Sequence, residues 1–360
     1  MVNLEPRNLS IPSIASDITH AVGNVPIVRL NRVSELCQQH DLYFKLESCN
    51  PSGSIKEKNA ICLVNQAEAD GSLRAGGTIV ESSSGNFGIA LATIGAARGY
   101  RVKIVIDAKT SPTMKQILTA HGAELIEVPL SAADSNGSMQ VARMDKAQEL
   151  AQTIAGAWYP CQHLNPHNPD AHEMYTAKEI ESAFNGAPDA IVIGVSTAGQ
   201  LAGIGRYFKQ HYPNTQIIGV DVAGSAVFGT PSFAYKMTGL GLSFTPPNFH
   251  PHLLDYAYTI SDAIAFSFCH QIAKLEGLLL GASTGAILAG GLAYANANSD
   301  RHLSILMLNP DRGDRYLATI YDREWLQTNQ IELYSQPQLA EIVRSIEPVR
   351  VSSNHPTRSS

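Results

Sequence analysis

Lys56 follows the turn Asn50 to Ser54 (NPSGS) and opens a run of helical composition, Ser54 to Ala69. Gly53 gives such a turn its φ freedom, and Ser54 is the expected N-cap. The first turn of a helix is an unfavourable place for a cation, because the dipole end there is positive. An amine held in it loses part of its preference for the charged form and can attack an aldehyde as a neutral nucleophile. Three turns rich in hydroxyls and glycine could position the partner of that amine. Glu81 to Gly88 (ESSSGNFG) brings Ser82, Ser83, Ser84, Gly85 and Asn86 to a helix entrance, whose free N–H groups suit a carboxylate. Gly194 to Gly199 (GVSTAG) offers the hydroxyls of Ser196 and Thr197 and a glycine that lets backbone approach an anion, a phosphate cradle without a P-loop lysine. Gly281 to Gly285 (GASTG) carries Ser283, whose hydroxyl could meet a ring nitrogen and leave it unprotonated, which favours elimination over deeper carbanion chemistry. Taken singly, each turn also fits an ordinary cap or strand-to-helix connection.

The elements that must hold these turns follow a regular rhythm. A chain of 360 residues, 44% hydrophobic and 16% charged, can bury a sizeable core in one large α/β unit or two domains. About twenty polar residues open it as a loose arm, followed by strand candidates Val25 to Leu30 and Leu42 to Glu47 around a helical piece, Ser34 to His40. From Lys56 onward the spacing predicts alternating strands (Thr78 to Glu81, Val102 to Asp107, Glu124 to Val128, Ala190 to Val195, Gln216 to Val222) and helices (Asn86 to Arg98, Ser111 to His121, Met139 to Ile154, Ala171 to Phe184, Gln200 to His211). That alternation means βαβ crossovers, largely parallel sheets and two α/β halves with a cleft between them. Ligands then belong beyond the strand ends, at the turns after Glu81, Val195 and Leu280. The composition of Gln336 to Ser360 is compatible with a disordered tail and with a lid.

Several function classes are set aside. A net charge of −6 without a basic run argues against nucleic acid. Five widely spaced cysteines with no Cys-x-x-Cys pair indicate neither a disulfide framework nor a zinc knuckle. No signal-peptide pattern and no membrane span are expected, which points to the cytoplasm. His163, His167 and His172 lack the spacing of a metal site, and Gly285 to Gly291 lacks the acidic partner of a dinucleotide fold.

NPSGSIK, SSGNFGIALA, the Ser/Gly turn, Gly239-Leu240-Gly241, EGLLLGASTGA and Pro310-Asp311-Arg312-Gly313 occur in order from about Gly23 to Leu317. Together they strongly resemble the fold-type-II pyridoxal-phosphate enzymes of the cysteine synthase and cystathionine β-synthase family. The resemblance implies a tryptophan synthase β-subunit-like α/β fold of two lobes, each with a largely parallel twisted sheet flanked by helices. Residues 46–157 would form the smaller lobe, 12–45 with 158–330 the larger, and 331–360 a tail. It further implies that Lys56 forms the Schiff base with pyridoxal 5′-phosphate and, once displaced, removes the substrate α-proton. Asn86 would bond the cofactor's 3′-oxygen, Ser196, Thr197, Ala198, Gly199 and Gln200 its phosphate, and Ser283 its ring nitrogen. Ser83, Ser84, Gly85, Asn86 and Phe87 would grip the substrate carboxylate. Such enzymes eliminate a β-substituent from a serine derivative to an aminoacrylate, add a nucleophile, and suggest a homodimer.

Departures from that pattern narrow the expectation. Ser196 to Gln200 (STAGQ) stands where Gly-Thr-Gly-Gly-Thr is typical, adding a hydroxyl that would project into the cleft, and Glu57-Lys58-Asn59 replaces the usual Asp-Arg. Val105 to Thr113, Asp221 to Gly229 and Asn309 to Tyr316 look closest to the 2,3-diaminopropionate branch, used for siderophores or peptide antibiotics. That branch joins O-phospho-L-serine to L-glutamate, giving N-(2-amino-2-carboxyethyl)-L-glutamate and phosphate. Arg143 could reach the substrate phosphate or the distal carboxylates of glutamate, or could be a surface partner of Asp145 or Lys146 neighbours. His163 could border the cleft and hydrogen-bond the second substrate. The alternatives are a cysteine synthase accepting sulfide and a non-catalytic binding relative.

Overall fold

A computed structural model describes residues 14–36, 39–133 and 137–351. Most of the expected opening arm, Cys37, part of the polar loop before Ser138, and residues 352–360 of the tail lie outside these. The strands are β1 (Ile27–Arg29), β2 (Asp41–Leu46), β3 (Thr78–Ser82), β4 (Arg101–Asp107), β5 (Glu124–Val128), β6 (Ala157–Trp158), β7 (Ala190–Gly194), β8 (Gln216–Val222), β9 (Tyr256–Ile260) and β10 (Ser304–Asn309). The helices are α1 (Lys56–Asp70), α2 (Asn86–Arg98), α3 (Pro112–Ala120), α4 (Gln140–Thr153), α5 (Ala177–Phe184), α6 (Gly199–His211), α7 (Asp262–Leu275), α8 (Ala282–Ala297), α9 (Arg323–Thr328) and α10 (Gln336–Ser345).

Two sheets result, ordered β1-β2-β10-β7-β8-β9 and β5-β4-β3-β6. Every pairing is parallel except that of β1 with β2, so the architecture is α/β with largely parallel sheets flanked by helices. Period-two alternation explains why both faces must be covered. In β7, Ala190 and Val192 pack into the core that contains Ile287 and Leu292 of α8, while Ile191 and Ile193 pack with Leu201 and Ile204 of α6. In the smaller sheet, Ile104 and Ile106 face α1 and α2, and Val105 faces Met139 and Ala147 beside α4.

Four expectations need correction. Ser54 does not cap α1; it bridges Asp311, its hydroxyl is buried without a partner, and Ile55 stands at the cap without a side-chain bond. Gly277 to Leu280 is not a strand, because Leu280 only bridges Arg312, and the GASTG turn connects two helices. The start of the predicted Ala171-to-Phe184 helix is a π-turn, His172–Thr176. Its backbone passes close to α6, where a Cβ on Gly203 would lie 2.8 Å from Glu173 N. From the tail, α10 docks Leu339 and Val343 in the main core, so that stretch is neither disordered nor a lid.

The helix that begins with Lys56 is tied to the larger sheet by buried charge. Lys58 Nζ lies 2.8 Å from Glu47 and 2.7 Å from Glu179, and Lys45 of β2 lies 2.5 Å from Glu179. Removing one member of such a group leaves an uncompensated buried charge. Lys58→Met is therefore expected to lower unfolding free energy by about 3–5 kcal/mol in urea denaturation, whereas Lys146→Met on exposed α4 is expected to change it by less than about 0.5 kcal/mol.

Candidate active site

The ends of β3, β4 and β7, with the N-termini of α1, α2 and α8, enclose a cleft of about 690 Å³ that is lined by Lys56, the Ser82-to-Phe87 turn, Arg143, His163, Ser196 and Thr197. A smaller cavity shares Lys56, Asn86, Ser196 and Thr197 and adds Ala198, Gly199, Gln200 and Ser283. The residues expected from sequence to hold cofactor and substrate thus converge, although they span from position 56 to 283. Side-chain hydrogen bonds between elements link them. Asn59 of α1 donates to Asn168 at 3.0 Å, and Asn168 donates to Thr197 at 3.1 Å, which ties the helix of Lys56 to the Ser196 turn.

Burial, rather than the helix end, is the leading cause that brings the Lys56 amine down to about 8, and the negative charge of Asp311 opposes it. In the ESSSGNFG turn, Ser83 accepts from Gly88 N at 3.0 Å and so does the work of a helix cap, while Ser84 stays half-buried on the cleft wall. The Asn86 side chain donates to Asp311 at 2.7 Å and accepts from Arg315. Phe87 is buried in the small-lobe core.

The Ser196 turn departs from its expected logic at Gly199. A Cβ there would lie 2.4 Å from Asn168 Oδ1, so glycine is required by packing against Asn168. Ala198 adopts φ +62°, an uncommon left-handed conformation for a residue with a side chain. Side chains leave the α6 N-terminus uncapped, and Gln200 Oε1 is buried without a partner.

Arg143 is not a surface residue. It is 7% exposed, pairs with Asp107 Oδ2 at 2.9 Å, and its Nε and Nη1 make no hydrogen bond. Burial lowers its affinity for a proton, while Asp107, Glu81 and Tyr159 oppose that. Glu81, buried at the end of β3, is pushed up to about 8 by desolvation against its backbone hydrogen bonds. His163 is held down to about 3 by burial and by the charges of Arg143 and Lys56, so its imidazole is neutral, and its Nδ1 is buried without a partner. His167 pairs with Asp170 at the surface and His172 bonds Thr176 in the interior; among the described residues no group of three or more His, Cys, Asp or Glu converges on a metal position.

Sequence reasoning missed Gln162, whose Oε1 is buried and unpartnered on the cleft wall; Ser82, named from the sequence, has a hydroxyl that is likewise unsatisfied there. It also missed Asp107, Asp311 and Arg315. Gln162 sits directly before His163, and Asp311 follows Pro310 in a quoted motif, so adjacency was the only available signal.

The model of the pyridoxal-phosphate dependent enzyme family matches residues 18–311. The chain belongs to that family and has its fold-type-II, cysteine synthase-like architecture; it is an enzyme that uses pyridoxal 5′-phosphate, a transferase of the β-replacement type. It is 36% identical over 315 residues to the N-(2-amino-2-carboxyethyl)-L-glutamate synthase of Cupriavidus metallidurans, an alignment spanning 87% of this chain and 92% of that one. A cysteine synthase of Staphylococcus aureus is 35% identical over 306 residues, spanning 84% and 96%. Among solved structures, O-acetyl serine sulfhydrylase isoform 3 from Entamoeba histolytica has a TM-score of 0.82 at 30% identity, covering 95% of this chain and 99% of its own. An O-ureido-L-serine synthase has a TM-score of 0.79 at 31% identity, covering 91% and 99%. No helix among the described residues is long and apolar enough to cross a membrane.

The lowered Lys56 amine has a direct kinetic consequence. Acylation of Lys56 by an amine-selective reagent in cofactor-free protein is expected to rise with a midpoint near pH 8, because the neutral form appears above that value. Exposed lysines are expected to follow a midpoint near 10.4, read by peptide mass spectrometry.

Proposed function

We propose that the protein replaces the phosphate of O-phospho-L-serine with the amine of L-glutamate, giving N-(2-amino-2-carboxyethyl)-L-glutamate and phosphate. The buried Arg143 guanidinium carries this reading: it lines the cleft, Asp107 holds its Nη1 at 2.9 Å, and its Nε has no protein acceptor, an arrangement that an incoming dianion would complete. The relative from Cupriavidus metallidurans, named for that product, supports it further.

The residues present fit the cofactor. Lys56 would hold its aldehyde carbon, the uncapped α6 N-terminus with Ser196, Thr197, Ala198, Gly199 and Gln200 its phosphate, Ser283 its ring nitrogen, and Asn86 its phenolic oxygen. Pyridoxal phosphate supplies an electron sink for chemistry at the substrate's α-carbon. The Lys56 amine, neutral in appreciable fraction near pH 8, takes the α-proton. Backbone N–H groups and hydroxyls of Ser83, Ser84, Gly85, Asn86 and Phe87 hold the α-carboxylate at the α2 N-terminus. Arg143 and the Ser196 hydroxyl stabilise the departing phosphate, whose developing charge an acetate leaving group would not match. His163 is too weak a base to accept a proton at neutral pH, so its role is to orient the amine nucleophile through a hydrogen bond. A cytoplasmic homodimer feeding 2,3-diaminopropionate synthesis for a siderophore or antibiotic completes the reading, and the exposed neighbours Met174 and Tyr175 would suit a subunit contact.

The comparable identity to a cysteine synthase keeps sulfide as the competing nucleophile. Arg143→Ala is expected to lower kcat/KM for O-phospho-L-serine about 100-fold and that for O-acetyl-L-serine by less than about threefold. Product masses are expected to show the glutamate adduct when glutamate and sulfide compete. Equal losses on both donors, or cysteine as the main product, would overturn the assignment.

A further inference from the structure

We propose that Asp311 is a positioning residue of the reaction centre, fixing in one orientation the Asn86 amide that lines the same cavity as Lys56. This rests on Lys56 being the cofactor's lysine, which loss of the visible cofactor band in Lys56→Ala tests separately.

The orientation follows from the partners on either side of Asn86. Asn86 Nδ2 donates to Asp311 Oδ2 at 2.7 Å, and Asn86 Oδ1 accepts from Arg315. A flip of the amide would set its oxygen against the carboxylate and its NH₂ against the guanidinium, losing both bonds and adding two repulsions. One N–H of the amide remains for a ligand in the cavity that Asn86 shares with Lys56. Arg315 is itself held by donating to the Ser52 carbonyl, within the turn that leads to Lys56.

Asp311 occupies a place built for it. It is 1% exposed; Tyr316 Oη also donates to its Oδ2, and Asn309 donates to its backbone oxygen at 2.9 Å. Its Oδ1 makes no hydrogen bond and lies 1.9 Å from where a Cβ on residue 281 would stand, so only glycine at the start of α8 admits it. The titratable and charged groups within its reach are Lys56, Arg315, Tyr316, Asp314, Tyr321 and Cys269. Burial pushes the Asp311 carboxyl up, and Arg315 with the Tyr316 and Asn86 hydrogen bonds opposes this. The same carboxylate raises the Lys56 proton affinity against burial. A buried carboxylate with one oxygen unsatisfied is costly for stability alone, and its bond to the Asn86 amide gives it a role beyond stability.

The test reads the lysine in cofactor-free protein, apart from turnover. In Asp311→Asn pyridoxal phosphate is expected to bind at least tenfold more weakly as Asn86 loses its fixed orientation, and the labelling rate of Lys56 at pH 7 is expected to rise about fivefold if its midpoint falls by one unit. Asp314→Asn removes a nearby exposed charge that does not touch Asn86 and is expected to move neither reading. Tyr316→Phe, which deletes only one donor to the carboxylate that holds Asn86, is expected to weaken pyridoxal phosphate binding by less, and it decides the matter if Asp311→Asn does not fold. Undiminished pyridoxal phosphate binding in the folded variants, or an equal loss in Asp314→Asn, overturns the proposal.

Discussion

An amine withdrawn from water at the junction of two sheets is the constraint on which the other features depend. Lys56 opens α1, whose next turn packs in the small-lobe core, while Lys58 anchors the same helix to charges on the larger sheet. Asn59 carries the link on to Asn168 and the Ser196 turn. Four consecutive residues thus reach both lobes and the anion-binding turn, with Glu57 accepting from the Ser52 backbone to hold the preceding turn. Because each tie is buried, a small rotation of α1 would break several at once.

The cleft wall divides by the state of its polar groups. Ser83 is satisfied within the fold and gives shape to the α2 N-terminus. Arg143, Gln162, His163 and Ser82 retain unsatisfied atoms despite burial. Folding leaves such groups unpaired at a cost of about 1–3 kcal/mol each; a bound anion would satisfy the donors Arg143 Nε and Ser82 Oγ, whereas Gln162 Oε1 calls for a ligand N–H or O–H. Asp107 matters here because its ion pair aims the Arg143 guanidinium along the cleft instead of letting it extend to solvent.

Much of this was legible in the residues. Strands β5 and β8 and helix α2 match the boundaries set by hydrophobic period and by glycine and asparagine punctuation. What escaped was long-range. β10 and β9 lie among helices whose apolar composition hides the period, α8 above all, since it is buried all round. Ser54 resembles an N-cap locally, yet its backbone is drawn into a bridge with Asp311, far along the chain. The depressed basicity of Lys56 was expected from the helix end, whereas enclosure by both lobes is the larger cause, and no local pattern encodes enclosure. Arg143 read equally well as a surface residue because its partner Asp107 comes from a different strand.

Borohydride reduction of the cofactor-loaded protein, followed by peptide mass spectrometry, tests the central claim most directly. A pyridoxyl adduct on the peptide containing Lys56, stoichiometric with subunits, is the result this account predicts. An adduct on another lysine, or none in protein that binds pyridoxal phosphate, would contradict it.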